Sequence, residues 1–252
     1  MSSARTQGLG TSIFTEMSAL AARTGAINLG QGFPDTDGPS GAIEAAVAAL
    51  HDGHNQYAPL PGVPSLREAV FEHQRHYYGL EPEDLLITFG ATEAIAAALL
   101  GLCDPGDEVV VLEPYYDSYA ACIGFAGARR RPVTLRPPEF ALDPDALRTA
   151  ISPRARVLLL NTPHNPTGRV LDRSELELIA STCVEHDLVC ISDEVYEHLV
   201  YDADHIPAAT RSDSAPRCPT AAGSWRSRRS RSTTISRRPR RWCGLPSASA
   251  PR

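Results

Sequence analysis

The chain has 252 residues, 42% of them apolar and 21% charged, with a net charge of −6, which suits a soluble α/β protein of one or two domains. No apolar run approaches the roughly 20 residues that cross a bilayer. The opening MSSARTQGLGTSIF lacks a secretory apolar core, so a cytoplasmic location is expected. Six cysteines (Cys103, Cys122, Cys183, Cys190, Cys218, Cys243) show neither CxxC nor metal-ligand spacing and read as buried reduced thiols. Two features of composition stand out. All 24 basic residues are arginine, with no lysine anywhere, and the charge divides into −16 over residues 1–205 and +10 over residues 206–252.

Residues 11–24 read as an amphipathic helix stopped by Gly25, followed by a broken Gly/Pro/Asp-rich segment, INLGQGFPDTDGPS. An Ala-rich helix covers 41–50, the proline-pinned loop NQYAPLPGVPS follows, and a helix over 66–78 ends at Gly79. From Leu85 an alternating pattern begins. LLITF (85–89) reads as a strand running straight into the helix GATEAIAAALLGL. EVVVLEP is a strand, YYDSYAACIGFAG a helix and RRPVTL a strand. Asp143-Pro144 caps and opens a helix to Ile151.

The most informative stretch runs from Arg156 to Tyr201. Apolar runs at 157–160 and 188–192 read as strands. Between them Leu176, Ile179 and Cys183 recur at helical spacing behind Asp172 and Glu175, an Asx capping box. Strand–helix–strand of this length is a βαβ unit with parallel strands. Five strands with helical crossovers give an open, largely parallel sheet with helices on both faces. Ligands of such sheets bind beyond the carboxyl ends of the strands, where NTPHNPTG and SDEVY both fall.

Taken singly, the polar groups at those ends have plain explanations. Asp193 could cap the next turn, Asn161 and Asn165 could be turn formers, Tyr115 and Tyr116 could be core, and GATEA could bind nothing. Taken together, GATEA, EPYYDSY, NTPHNPTG and SDEVY, preceded by LGQGFPD (29–35) and QYAPLPGVPSLREA (56–69), resemble the class I/II, fold-type I aminotransferases over residues 10–205. The nearest likeness is to the branch of N-succinyldiaminopimelate and kynurenine/glutamine transaminases. The resemblance implies a three-layer αβα large domain with a mostly parallel sheet, here incomplete, and a small domain represented only by its N-terminal part. It implies the cofactor pyridoxal 5′-phosphate (PLP), an amino acid and a 2-oxo acid as substrates, and a homodimer. Gly90, Ala91 and Thr92 would hold the phosphate, Tyr116 would stack on the pyridine ring, Asn165 and Tyr196 would bond its 3′-oxygen, and Asp193 would pair with its ring nitrogen. Tyr57 would reach the phosphate of the partner subunit, and Gly32 would line the substrate pocket. His164, at the motif's variable position, is expected to have no chemical role.

The sequence departs from the family after SDEVY. The family places its Schiff-base lysine about thirty residues on, where this chain reads AAGSWRSRRSRSTTISRRP. Arginine, always protonated, is no substitute. The expected organisation is an arm and part of the small domain (1–55), a partial PLP-binding large domain (56–205) and a disordered, non-family tail (206–252), the last read as an out-of-frame translation. Two strands that the family inserts beside LLITF would then be missing, leaving 85–89 unpaired and the phosphate cup no longer tied to Asn165 and Asp193. The chain is expected to be catalytically inactive by itself, with no metal and no membrane contact. Two other readings stay open. One is a non-catalytic, PLP-holding regulatory protein. The other is a nucleic-acid binder using the ten arginines from Arg211 to Arg241 interleaved with Trp225 and Trp242, although no nucleic-acid motif accompanies them.

Overall fold

The computed structural model describes residues 4–6, 10–30, 32 and 36–209. The arginine-rich segment 210–252, with its expected disorder, lies outside the described residues. So do residues 31 and 33–35 of LGQGFPD.

Three helices precede the sheet: α1 (Ile13–Thr24), α2 (Ser40–His51) and α3 (Pro64–Tyr78). α1 and α2 bury no residue, and each carries an exposed apolar stripe at i, i+4, i+7: Ile13, Met17 and Leu20 on α1, Ile43, Val47 and Leu50 on α2. Left-handed Gly25 and Gly79 end α1 and α3 as the sequence predicts.

The remaining elements alternate: α4 (Gly90–Leu102), β1 (Glu108–Glu113), α5 (Ser118–Phe125), β2 (Arg129–Thr134), α6 (Pro144–Ala150), β3 (Ala155–Asn161), α7 (Arg173–Glu185) and β4 (Val189–Asp193). The strands form a parallel sheet in the order β2-β1-β3-β4. Helices cover both faces, so the central strands must be apolar at successive positions. Odd-numbered Val109, Val111, Val157, Leu159 and Ile191 pack with Ile95, Leu99, Tyr119 and Ile123 of α4 and α5. Even-numbered Val110, Leu112, Leu158, Leu160 and Cys190 pack with Leu147, Ile179 and Cys183 of α6 and α7. Each such fully buried aliphatic side chain contributes about 1.5–3 kcal/mol by leaving water. The αβα sandwich is thus written in the alternation within each strand. The caps hold as well. Asp143 accepts from Asp145 N, and Asp172 with Glu175 forms both bonds of the capping box.

The sheet's two borders differ. β2 carries the charged Arg129, Arg130 and Arg131 and then Pro132, whereas β4 reads Val-Cys-Ile-Ser-Asp.

Two expectations are corrected. Residues 85–89 are not a strand, so the sheet has four strands among the described residues where five were expected. LLITF has strand composition but no neighbouring strand to complete its ladder. It lies against the 59–62 loop instead, with Ile87 N donating to Pro61 O at 3.1 Å. Leu85 is buried while Phe89 is 97% exposed. In addition, contacts with the domain body continue past residue 205: Pro207 is buried and Ala208 packs on the α6–α7 core.

Candidate functional site

Parallel pairing of β3 with β4 sets Asn161 beside Asp193 at the carboxyl end of the sheet. Asn161 is buried and bonded at both ends of its amide: its Nδ2 donates to Asp193 O at 2.8 Å and its Oδ1 accepts from Asn165 N at 2.7 Å. One side chain thereby fixes the loop after β3 against the end of β4. The loop then presents Asn165, whose Nδ2 lies 3.3 Å from the Tyr196 hydroxyl. Both side chains are half-buried at the rim. His164 closes the loop from inside, with Nδ1 2.8 Å from Thr167 Oγ1. Burial pushes its imidazole down to about 4, so it is neutral near pH 7 and built into the fold.

Asp193 is 5% exposed. Its Oδ2 accepts from the Tyr119 hydroxyl at 2.6 Å and its Oδ1 from Val195 N at 3.3 Å. Burial pushes this carboxyl above the ordinary range, the two donors hold it down in part, and the nearby Glu194 charge adds to the rise. The same burial, with Asp193 beside it, pushes the Tyr119 phenol well above its usual value, so Tyr119 is the donor. No cationic side chain of the described residues forms an ion pair with Asp193. A buried carboxylate held by two donors and facing no cation is suited to a cationic ring nitrogen.

Tyr119 is the residue that sequence reasoning missed. EPYYDSY shows it, but at helical spacing on α5 it reads as core, and it is core by burial at 2% exposed. Tyr116 sits one turn earlier, half out of the surface, its ring edge-on to that of Tyr119 at 6.1 Å.

Gly90, Ala91 and Thr92 open α4. Gly90 has φ +77°, its N–H donates to Thr88 O, and the N-cap Phe89 gives no side-chain cap; the Glu93 carboxylate of the first turn accepts from Phe89 N instead, which leaves Ala91 and Thr92 N–H without a cap. Such a terminus attracts an anion. The cup was expected to come loose from Asp193, and it does not. Cys122 Sγ lies 3.9 Å from Thr92 O, and Cys122 stands one turn along α5 from Tyr119, which bonds Asp193. Helix packing keeps the cup with the sheet although the strand leading to it is absent. Tyr57 and Gly32 are not brought to this cluster. Tyr57 is fully exposed, and a Cβ placed at Gly32 would meet nothing within 4 Å.

Glu194, beside Asp193, serves the fold. Its carboxylate accepts from Ser192 Oγ (2.6 Å) and Ala208 N (3.0 Å) and pairs with buried His205 Nε2 (2.9 Å), which holds the 205–208 segment to the end of β4.

The sequence matches the family described as "Aminotransferase class I and II" over residues 24–224. It is 54% identical over 215 residues to a probable N-succinyldiaminopimelate aminotransferase of Mycobacterium tuberculosis, covering 83% of this chain and 54% of that one. It is 38% identical over 226 residues to kynurenine–oxoglutarate transaminase 3 of Mus musculus, covering 82% and 49%. The fold superposes on the solved structure of N-succinyldiaminopimelate aminotransferase from Mycobacterium tuberculosis with a TM-score of 0.83 and 51% identity, covering 87% of this chain and 59% of that one. The chain thus spans about half the length of the curated relatives it matches. No helix among the described residues is long and apolar enough to cross a membrane. The chain belongs to the class I and II aminotransferases, a family of PLP-dependent enzymes that act on amino acids and 2-oxo acids.

Proposed function

We propose that the cluster at the strand ends is the pyridine-facing half of a PLP site. The observation that carries the reading is the buried carboxylate of Asp193, gripped by Tyr119 and paired with no cation among the described residues. In this reading Asp193 holds a proton on the ring nitrogen and Tyr119 fixes the carboxylate's orientation. Asn165 and Tyr196 donate to the 3′-oxygen, Tyr116 covers the ring, and the start of α4 (Gly90, Ala91, Thr92) takes the phosphate. When bound, the cofactor supplies an electron-withdrawing ring that acidifies the substrate's α-carbon. The residues of this chain supply binding and orientation.

They supply no amine. With no lysine in 252 residues, the chain has no side-chain amine that can form a Schiff base with the cofactor. We therefore read the chain by itself as a non-covalent PLP holder that does not turn over amino acids. For the family activity, the 54% identity to a protein named for N-succinyldiaminopimelate supports a dicarboxylic, N-acylated amino acid as substrate, with a 2-oxo acid as amino acceptor. The exposed stripes of α1 and α2 and the fully exposed Tyr57 support a homodimer in which Tyr57 serves the partner's site.

The test is a PLP titration of the full chain, followed by absorbance and by quenching of tyrosine fluorescence. Saturable binding is expected, weakened at least tenfold (about 1.4 kcal/mol) by Asp193→Asn. After borohydride reduction and peptide mapping, no internal residue should carry the cofactor. Binding indifferent to Asp193→Asn, or a reduced adduct on an internal side chain, overturns the reading.

A further inference from the structure

Away from the strand ends, α3 meets the turn that follows β4. His73 Nε2 lies 2.9 Å from His198 Nε2, and Glu197 Oε1 lies 3.7 and 3.9 Å from the two nitrogens. Among the described residues this is the one group of three such side chains whose ligand atoms converge within 4.8 Å. The three separations define a triangle whose circumscribed radius is about 2.1 Å, the length of a zinc–imidazole or zinc–carboxylate bond. A single ion at that centre would reach all three atoms at bonding distance with almost no rearrangement. Opening the two nitrogens by about 0.4 Å while the carboxylate oxygen closes on them by about 0.4–0.6 Å would lift it into tetrahedral geometry, with the fourth position left to water.

The surroundings are those of a ligand set rather than of a chance surface contact. Burial, with the Glu197 carboxylate close by, holds the Tyr78 phenol above its usual value, so a neutral phenol stands beside Glu197. His73 Nδ1 lies 3.4 Å from the side-chain amide of Gln74, the one buried residue of α3. Rotating that amide by half a turn presents its oxygen to Nδ1–H, the partner that a metal-bound imidazole requires on its far nitrogen. The rings of Tyr77 and His198 lie edge to face at 5.0 Å, which limits where the second imidazole can go. Side-chain exposures of 30% for His73, 19% for Glu197 and 54% for His198 leave one open side for an ion to enter.

We propose that His73, Glu197 and His198 form a binding site for one divalent transition-metal ion of the zinc type. Two imidazoles and one carboxylate suit zinc, with nickel and copper as competitors, and exclude magnesium and calcium, which prefer an all-oxygen shell. The ion would join α3 to the turn carrying Glu197 and His198, tying together residues 125 positions apart. Spacing along the sequence gives no hint of such a site, since two ligands are adjacent and the third is remote.

Zinc chloride titrated into chelator-treated, tag-free full chain by calorimetry tests this. One equivalent should bind with micromolar affinity. His73→Ala and His198→Ala should each weaken that event at least tenfold, Glu197→Gln about tenfold, and His76→Ala not at all, with far-UV circular dichroism unchanged. Because cysteines elsewhere in the chain can also take zinc, the differences between variants decide the result. Zinc uptake insensitive to His73→Ala and His198→Ala, or no uptake, overturns the site. If a variant does not fold, diethylpyrocarbonate labelling of the unaltered chain decides instead. Zinc should protect His73 and His198 and leave His76 reactive, and equal labelling with and without zinc refutes the proposal.

Discussion

Tyr119→Phe isolates the contact on which the site turns. The substitution removes one hydroxyl and keeps the ring, so the packing of α5 against Ile95, Leu99 and Ile191 is preserved. What is lost is a 2.6 Å bond to a carboxylate that is 5% exposed and holds one other donor, Val195 N at 3.3 Å. A hydrogen bond to a buried charge is worth about 1.5–3 kcal/mol, against about 0.5–1.5 kcal/mol for one between neutral groups. The cost should therefore depend on whether Asp193 is ionised. Burial raises the folded-state pKa of Asp193 above its unfolded value, so the folded chain binds this proton more tightly. The stability that Asp193 contributes is fully present below the unfolded pKa and is lost as pH rises through the folded one. Removing the Tyr119 donor moves the folded value further up and deepens the loss on the alkaline side. Urea unfolding of both proteins at about pH 8 should show Tyr119→Phe less stable by about 2 kcal/mol, with the gap roughly halved when pH is lowered through the folded-state pKa. In an Asp193→Asn background the penalty should fall to that of a neutral bond, giving a coupling of about 1 kcal/mol. A penalty below about 0.5 kcal/mol at pH 8, or one equal on both sides of the pKa, would refute the claim that Tyr119 holds a buried charge.

Three further substitutions probe the frame around the site. Leu99→Ala empties a fully buried position on the inner face of α4 and should cost about 2–5 kcal/mol in urea unfolding; it should also loosen α4, read as faster amide exchange at 94–99. Asp172→Ala removes a capping box with both bonds formed and should cost about 0.5–2 kcal/mol without altering PLP affinity. Gly62→Ala places a Cβ 2.3 Å from Ile87 Cγ1 at a residue with φ +106°. It should free residues 85–89 from the 59–62 loop, read as quicker limited proteolysis there, with a cost of about 1–3 kcal/mol.

Much of the fold can be read before any coordinates. The βαβ unit from Arg156 to Tyr201 announces itself because its determinants are local: apolar runs of strand length, Leu176, Ile179 and Cys183 at helical spacing, and a cap at Asp172. The order of polar clusters at the strand ends is legible for the same reason. What fails is whatever depends on a neighbour. LLITF has the composition of a strand and is none, since a strand is a pairing and its partners are absent among the described residues. Tyr119 gives no sign of bonding a carboxylate 74 residues away, and its spacing says only that it faces inward. The persistence of the phosphate cup beside Asp193 was also hidden, since it rests on the packing of α4 on α5 and not on any motif.

The two borders of the sheet carry a consequence for handling the protein. On one side, three arginines and a proline make β2 a poor template for another strand. On the other, the outer backbone groups of β4 flank Val189, Cys190 and Ile191 with no charge before Asp193. Strand addition is therefore directional. Among the described residues β4 ends the sheet with apolar side chains, and the β2 side presents charge and a missing N–H. For such a molecule, persistence in solution is set by how often chains meet as well as by how well each is folded. Turbidity should rise with protein concentration at constant folded fraction, and a charged residue at Cys190 or Ile191 that left the core intact would be the natural gatekeeper if either side chain pointed outward. Both point inward, so the remedy must come from a partner strand laid along that border.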